Sequence, residues 1–190
     1  NKENEMNNCI ATLALLSFLA FCAGGCMGRL IGEGAEAGLG PKGKYWQENS
    51  LPAKESKPLA PYTNIELGKV ANAYGRNVPE EFFSQFPREF QKRFQTEGPG
   101  KTLVVNVAIL HYEKADVTDN IFGPLEEVVA HVELVDKTTG SVLATGNAVG
   151  RTGKTVGLGV QNKAEGLAKG ISSWVNSHRG KEEKDKDKKE

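Results

Sequence analysis

The chain has 190 residues, and its 24 basic and 24 acidic side chains give a formal net charge of zero. A neutral chain of this length suits one domain with appendages and has no overall field to attract nucleic acid. Cys9, Cys22 and Cys26 are the only cysteines. A disulfide framework, a cysteine metal site and a cysteine nucleophile are therefore excluded from the chain after Cys26.

An uncharged segment, residues 9–28, lies near the N-terminus. Residues 10–21 form an apolar run that fits a signal peptide and is shorter than the roughly 20 residues of a membrane-spanning helix. The small residues Ala23, Gly24 and Gly25 then lead into Cys26, so that the chain can enter a peptidase site in extended form. The sequence predicts a signal peptide over residues 1–25, cleaved between Gly25 and Cys26.

This segment resembles the lipobox of bacterial lipoproteins, in which Leu and two small residues precede the modified cysteine. Ala23 stands where Leu is more common, and a leader that starts at Met6 would lack the usual basic side chain. The resemblance implies a diacylglyceryl group on Cys26 and a further acyl chain after cleavage, which together attach the protein stably to a membrane. Met27, rather than Asp, follows the cysteine, which favours a bacterial outer membrane and a domain that faces the periplasm or the cell surface.

Two alternatives for the N-terminus stay open. The uncharged residues 9–28 could form an uncleaved anchor helix, or the chain could be secreted without lipid. The small residues before Cys26 favour a cleaved signal over an anchor helix.

Residues 26–61 are predicted to form a tether, because they are rich in glycine and proline and show no apolar period. The letters of a dinucleotide-binding GxGxxG motif occur at residues 38–43. A functional motif follows a strand and opens a helix, whereas this one follows more glycine and contains Pro41. Tyr45 and Trp46 are the one aromatic pair of the tether, and we expect them to pack on the domain or on a partner.

Residues 62–178 are predicted to form one small α/β domain of the α+β sandwich type, followed by a disordered charged tail over residues 179–190. Apolar patterns predict strands at 63–70, 102–112, 128–135 and 141–149, with a hairpin turn at 136–140. Two helices complete the order β-α-β-β-β-α. We expect a mixed or mainly antiparallel four-stranded sheet with both helices packed on it.

The first predicted helix opens at Pro79, which suits a first turn. Phenylalanine recurs every fourth residue along it, and this stripe is predicted to be its buried face. Pro87 should kink the helix or restart it. The closing helix presents a second apolar face, formed by Ala164, Leu167, Ala168, Ile171, Trp174 and Val175.

Residues 148–155 satisfy a permissive P-loop pattern that ends in Gly153, Lys154 and Thr155. In a functional P-loop a helix begins at the lysine, but Val156–Gly159 is poor helix material. The chain after Thr155 is also too short to supply the remaining parts of an NTPase. A glycine-rich connection is favoured, and a nucleotide-binding or hydrolytic enzyme that uses Gly153, Lys154 and Thr155 is the alternative.

No other catalytic pattern stands out. His111 and His131 are expected on neighbouring strands as exposed or rim residues, without a third ligand at metal-site spacing. Asp116 and Asp119 share a loop that lacks the ordered oxygen series of a calcium site. We therefore expect no catalytic residues, no metal, no cofactor and no enzymatic activity.

The body of the chain resembles a group of small, uncharacterised bacterial lipoproteins. The likeness rests on the helix opened by Pro79, on the strand from Leu103 to Tyr112, and on residues 132–143, where a valine-rich strand enters an Asp-x-x-Thr-Gly turn. Similar domains occur in the N-terminal part of the Tol-Pal translocation protein and in the curli secretion lipoprotein. The resemblance implies a binding or assembly role in the envelope, with an envelope protein or polymer as partner, or a homo-oligomer.

Overall fold

A computed structural model describes residues 40–48, 51–75, 78–94, 98–113, 126–152 and 159–181. These residues form five strands, two helices and a short 3-10 turn. The strands are β1 (Lys42–Gln47), β2 (Tyr62–Asn72), β3 (Lys101–Tyr112), β4 (Glu127–Asp136) and β5 (Val142–Arg151), and the helices are α1 (Glu80–Arg93) and α2 (Val160–Arg179).

The five strands form one mixed sheet in the order β1-β5-β4-β3-β2. β2 and β3 are parallel, and the other neighbours are antiparallel. The predicted fold class and element order are confirmed, including the hairpin between β4 and β5. The predicted strand number was one too low, because β1 lies within residues that were assigned to the tether.

β1 forms although its sequence lacks an apolar alternation. Its backbone pairs with residues 146–151 of β5. Tyr45 is buried and stacks on Trp174 of α2, with ring centroids 4.5 Å apart. Leu59 is also fully buried. The folded part of the chain therefore includes residues from Gly40 onward rather than from residue 62.

The core lies between the sheet and the two helices. Alternate residues of β3 and β4 point into it, as the strand period requires: Leu103, Val105, Val107, Ile109, Val128, Ala130, Val132 and Leu134. The predicted buried faces of both helices are confirmed. The phenylalanines of α1 supply one side, with Phe82, Phe86 and Phe90 buried and Phe94 partly buried.

α1 is one helix from Glu80 to Arg93, so of the two effects predicted for Pro87, a kink or a restart, the restart does not occur. A proline inside a helix costs about 3 kcal/mol through the lost hydrogen bond and a steric clash. Phe86 and Phe90 are anchored in the core on either side of it, and their burial offsets this cost. In the described part of the chain, neither helix is long and apolar enough to span a membrane.

Four glycines allow α2 to lie unusually close to the sheet. Gly43 of β1 lies against Gly166 and Gly170 of α2, and Gly150 of β5 lies against the α2 backbone at Lys163 and Leu167. A Cβ atom on any of the four would clash with backbone atoms of the opposite element; at Gly170 it would lie 2.6 Å from the Lys44 nitrogen. Backbone atoms cannot rotate away, so only glycine fits these positions.

This close contact predicts whether alanine at Gly170 raises or lowers the free energy of unfolding. Replacing a helical glycine with alanine ordinarily stabilises a protein by about 1 kcal/mol. We expect Gly170→Ala to lower the free energy of unfolding by about 1–3 kcal/mol instead, because the methyl group overpacks a rigid contact. Urea denaturation of the variant measures it, with Gln161→Ala on the exposed face of α2 as the control. A stabilised Gly170→Ala protein would contradict the close packing.

Asp136 organises the hairpin turn. Its Oδ1 accepts hydrogen bonds from the backbone N–H groups of Thr138 at 2.8 Å and Thr139 at 3.0 Å. Its Oδ2 accepts one from the Tyr62 hydroxyl at 2.7 Å, and Lys101 Nζ lies 3.4 Å away. These donors, the Tyr62 hydroxyl above all, lower the pKa of Asp136 to about 2. The turn is thereby tied to the start of both β2 and β3.

Acid should weaken this connection. The pKa of Asp136 in the fold lies below the value of about 3.9 expected in the unfolded chain. The carboxylate therefore stabilises the fold above pH 4, and this contribution is lost as the pH falls from about 4 to about 2. We expect Asp136→Asn to melt at a lower temperature than the wild type at pH 7, and the difference in Tm to shrink across that interval. A constant difference down to pH 2 would rule out this linkage.

Candidate functional site

The helices cover one face of the sheet, and the opposite face carries a row of cross-strand neighbours. From β1 to β2 the row is Trp46, Asn147, His131, Ala108 and Ala71. All five are at least partly exposed. We call this surface the open face, because no described element packs on it.

The centre of the open face contains a groove of about 220 Å³. Ala71 and Ala108 form its floor, because their short side chains leave a depression between longer neighbours. Lys69, Asn106, His131 and Glu133 also line it. The groove therefore offers an ammonium, an amide, an imidazole and a carboxylate around a small apolar floor.

A β-bulge shapes the β2 side of the groove. The register between β2 and β3 shifts between Leu67 and Val70. Asn106 Oδ1 accepts a hydrogen bond from the Lys69 backbone N–H at 2.9 Å. A Cβ atom on Gly68 would collide with the side chains of Asn106 and Val104, so a larger residue there would displace the Asn106 amide from the groove.

Lys69 and Glu133 make no side-chain ion pair or hydrogen bond with any other described residue, although both line the groove. Glu66 of β2 and Lys137 of the hairpin turn, by contrast, pair with each other at 2.7 Å. Two unpaired charges of opposite sign beside one depression suit a ligand that carries both an acidic and a basic group.

A polar cluster continues the open face towards β1. Glu48 accepts a hydrogen bond from Asn147 Nδ2 at 2.5 Å, and its other carboxylate oxygen lies 3.7 Å from His131 Nδ1. Trp46 is 45% exposed, and the Lys44 ammonium lies 5.4 Å from the centre of its ring. An exposed tryptophan on a strand provides a large contact surface with one polar atom.

A second polar cluster is buried at the other end of the core. The Lys163 ammonium of α2 is paired with Glu126, donates to the backbone carbonyl of Glu113 at 2.6 Å, and lies 4.3 Å from the centre of the Tyr112 ring. Lys163 and Glu126 are only 3% and 5% exposed. Burial, together with the nearby carboxylates of Glu126 and Glu81, raises the pKa of Tyr112.

The charge of Lys163 is compensated within the buried cluster. Lys163 has two hydrogen-bond partners and an aromatic face, so its charge is compensated where it lies. The Tyr112 hydroxyl, Glu126 Oε1 and Thr152 Oγ1 have no hydrogen-bond partner among the described residues. Of these atoms only Glu126 Oε1 belongs to the ion pair, and its desolvation adds to the cost of burying that pair.

The histidines do not form a metal site within the described residues. His111 and His131 lie on the neighbouring strands β3 and β4, as expected, and both are partly exposed. They are not direct partners: His131 faces Ala108, and His111 packs edge-on against Tyr74 with ring centroids 5.4 Å apart. No group of three His, Cys, Asp or Glu side chains is close enough to hold a metal in the described part of the chain.

The site residues predicted from sequence motifs lie outside the described residues. These are Gly25 and Cys26 of the lipobox and Gly153, Lys154 and Thr155 of the P-loop-like segment. The groove and the buried ion pair were not predicted. The polar residues Asn106 and His131 within valine-rich strands, and Lys163 four residues before the buried Leu167, were the available signals.

Comparisons with known proteins show only a general similarity of fold. No protein-family model matches the chain, and no curated protein matches it. Among solved structures it is similar to a variant of the PelC dodecamer from Paraburkholderia phytofirmans, with a TM-score of 0.44, 19% identity, and coverage of 74% of this chain and 99% of that chain. A DUF330 protein from Xanthomonas campestris gives 0.36, with 10% identity and coverage of 59% and 80%. A proposed lipoprotein from Caulobacter crescentus gives 0.35, with 15% identity and coverage of 64% and 91%. Similarity at this level says nothing about activity, ligand or assembly.

The contribution of the buried ion pair to stability can be tested by removing one charge, both charges, or only the neighbouring Tyr112 hydroxyl. Glu126→Gln keeps the shape but leaves the Lys163 ammonium without a counter-charge, and we expect the free energy of unfolding to fall by about 3–5 kcal/mol. The double variant Glu126→Gln/Lys163→Met should recover much of that loss. Tyr112→Phe keeps the ring and removes only a hydroxyl, so it should be nearly neutral. Urea denaturation measures all three, and a Glu126→Gln cost below about 1 kcal/mol would show that the charge is not buried.

Proposed function

We propose that this protein is a lipid-anchored lipoprotein of the bacterial envelope whose domain is a non-catalytic binding module. Its partner is an envelope protein or polymer that binds the groove on the open face. The observation that carries the proposal is the pair of unpaired, opposite charges, Lys69 and Glu133, that line the groove.

The chemistry of the groove supports binding rather than turnover. A catalytic site needs a nucleophile or a general base held against a second group that activates it. His131 lies near Glu48, but that carboxylate is already hydrogen-bonded to Asn147, and no serine, threonine or cysteine lines the groove. The remaining groups suit hydrogen bonding and charge pairing with a ligand.

The envelope location rests on the sequence alone. The apolar run, the small residues and Cys26 follow the order of a lipoprotein signal. Met27 directs the proposal to the outer membrane, with the domain on the periplasmic side or at the surface. No cofactor enters this function.

A homo-oligomer is the second candidate. β1 and β2 are the outer strands of the sheet, and each pairs with a strand on one side only within the described residues. An exposed strand edge can pair with the edge of another copy. An assembly through the strand edges would leave the groove on the open face accessible. The protein could therefore form an oligomer and also bind a ligand in the groove.

Lipidation makes the first functional prediction. Cells that express the protein and are grown with labelled palmitate should incorporate label into the wild type and none into Cys26→Ala. The label should be found in the outer-membrane fraction of a bacterium that has one. Equal labelling of the two proteins would reject the anchor.

Crosslinking tests the groove. A photo-crosslinking residue at Thr145, the cross-strand neighbour of Glu133, should give a discrete adduct in intact cells. The charge reversals Lys69→Glu and Glu133→Lys should each remove it, whereas a probe at exposed Gln91 on α1 should give none. An adduct with a second copy of the chain would support the oligomer. Adducts that survive both reversals would reject the groove as the binding site.

A further inference from the structure

We propose that the groove on the open face binds a free peptide of two or three residues through its two charged ends. The carboxylate of the peptide pairs with Lys69, its terminal ammonium pairs with Glu133, and a carbonyl between them accepts from Asn106. This inference rests on the proposed binding role of the groove. Because the peptide uses the same charges as the envelope partner, it competes with that partner.

The three binding groups lie in one row across neighbouring strands. Glu133 is the cross-strand partner of Asn106, and the Lys69 backbone N–H donates to Asn106 Oδ1 at 2.9 Å. All three residues line the groove. From β4 through β3 to β2, the row therefore presents a carboxylate, an amide and an ammonium.

The β-bulge fixes which atom of the Asn106 amide is left for a ligand. Asn106 Oδ1 already accepts from the Lys69 backbone, so Nδ2 is the free end of the amide. Nδ2 has no partner among the described residues. Its N–H donors lie between the two charges of the groove and suit a carbonyl oxygen.

A peptide with free ends carries the complementary groups in the complementary order. Its ammonium, carbonyl and carboxylate match the carboxylate of Glu133, the amide of Asn106 and the ammonium of Lys69. Hydrogen bonds with a charged partner are about twice as strong as neutral ones. Both charged side chains lack a partner in the described part of the chain, so neither must give up an existing contact to bind.

The surrounding charges reinforce this polarity. Glu48 lies next to Glu133 along the row, since its backbone N–H donates to the carbonyl of Thr145, the cross-strand partner of Glu133. Glu66 and Lys137, on the other side, compensate each other at 2.7 Å. The β4 side of the groove is therefore acidic, and Lys69 makes the β2 side basic. This difference sets the direction in which the peptide lies.

The distance between the two charges selects the length of the peptide. Lys69 and Glu133 lie two strands apart, or about 10 Å. Each charge contact takes up about 3 Å, so the charged ends of the ligand must be about 4–10 Å apart. They are only about 2.5 Å apart in a single amino acid, and about 6–10 Å apart in two or three residues. The short side chains of Ala71 and Ala108 leave room beneath for a small ligand side chain.

The experiment titrates the ¹⁵N-labelled full chain, in detergent, with the dipeptide Ala-Ala. We expect saturable chemical-shift changes at Ala71, at Ala108 and at the side-chain amide of Asn106. Alanine alone, acetylated Ala-Ala and amidated Ala-Ala should each bind about tenfold more weakly, because each lacks the required span or one charged end.

Each charged side chain should recognise one end of the peptide. Lys69→Gln should bind Ala-Ala and its amidated form equally and still discriminate against the acetylated form, and Glu133→Gln should show the reverse. Loss of folding cannot produce this exchange of preferences. The matched changes Lys54→Gln and Glu55→Gln, at exposed residues outside the groove, should leave all affinities unaltered.

The outcomes separate the peptide from the proposed function. Absence of saturation at about 10 mM Ala-Ala, with a Thr145 adduct that still depends on Lys69 and Glu133, would overturn the peptide and leave the proposed function intact. Equal binding of Ala-Ala and its blocked forms, or a Thr145 adduct that saturating Ala-Ala leaves unchanged, would also overturn it. End preferences that follow the two charges, together with loss of the adduct in Ala-Ala, would support it.

Discussion

The contact between α2 and the edge of the sheet is the constraint on which the rest of this fold depends. Gly43 of β1 meets Gly166 and Gly170 of α2, and Gly150 of β5 meets the α2 backbone at Lys163 and Leu167, so backbone packs directly against backbone. This proximity holds β1 in place although the strand has few apolar side chains. It also brings Trp174 over Tyr45 and Lys163 into the core beside Glu126. Glycine has a low helix propensity, so Gly166 and Gly170 destabilise α2 itself. The burial of neighbouring side chains such as Leu167 and Ile171 offsets that cost.

Because both helices lie on one face of the sheet, that face is buried and the opposite face is exposed to solvent. The covered face is largely apolar, and the buried ammonium of Lys163 is compensated there by Glu126 and by a backbone carbonyl. The open face alternates valine with polar residues and keeps Lys69 and Glu133 without partners among the described residues. Side chains on that face can change without disturbing the core. Their chemistry is therefore free to serve a ligand rather than stability.

The apolar pattern within each segment was sufficient to predict most of the fold. Four strands and two helices follow from alternation in β3 and β4 and from the phenylalanine stripe of α1, since each signal is complete within its own segment. β1 was missed because what stabilises it lies about 100 residues away, in β5. The groove was missed for the same reason: Ala71, Ala108 and His131 become neighbours only through the register of three strands. Lys154 and Cys26, which the motifs did identify, lie outside the described residues.

The same register sets how far the charges of the groove lie from β1. Trp46 lies at the β1 end of the cross-strand row and Ala71 at the β2 end, with three strands between them. Neighbouring strands are about 4.8 Å apart, so the two ends of the row are separated by about 19 Å. That separation exceeds a Debye length of about 8 Å at physiological ionic strength. Of the two unpaired charges of the groove, Lys69 on β2 is therefore screened from Lys44 on β1, whereas Glu133 on β4 lies only two strands, or about 10 Å, from β1.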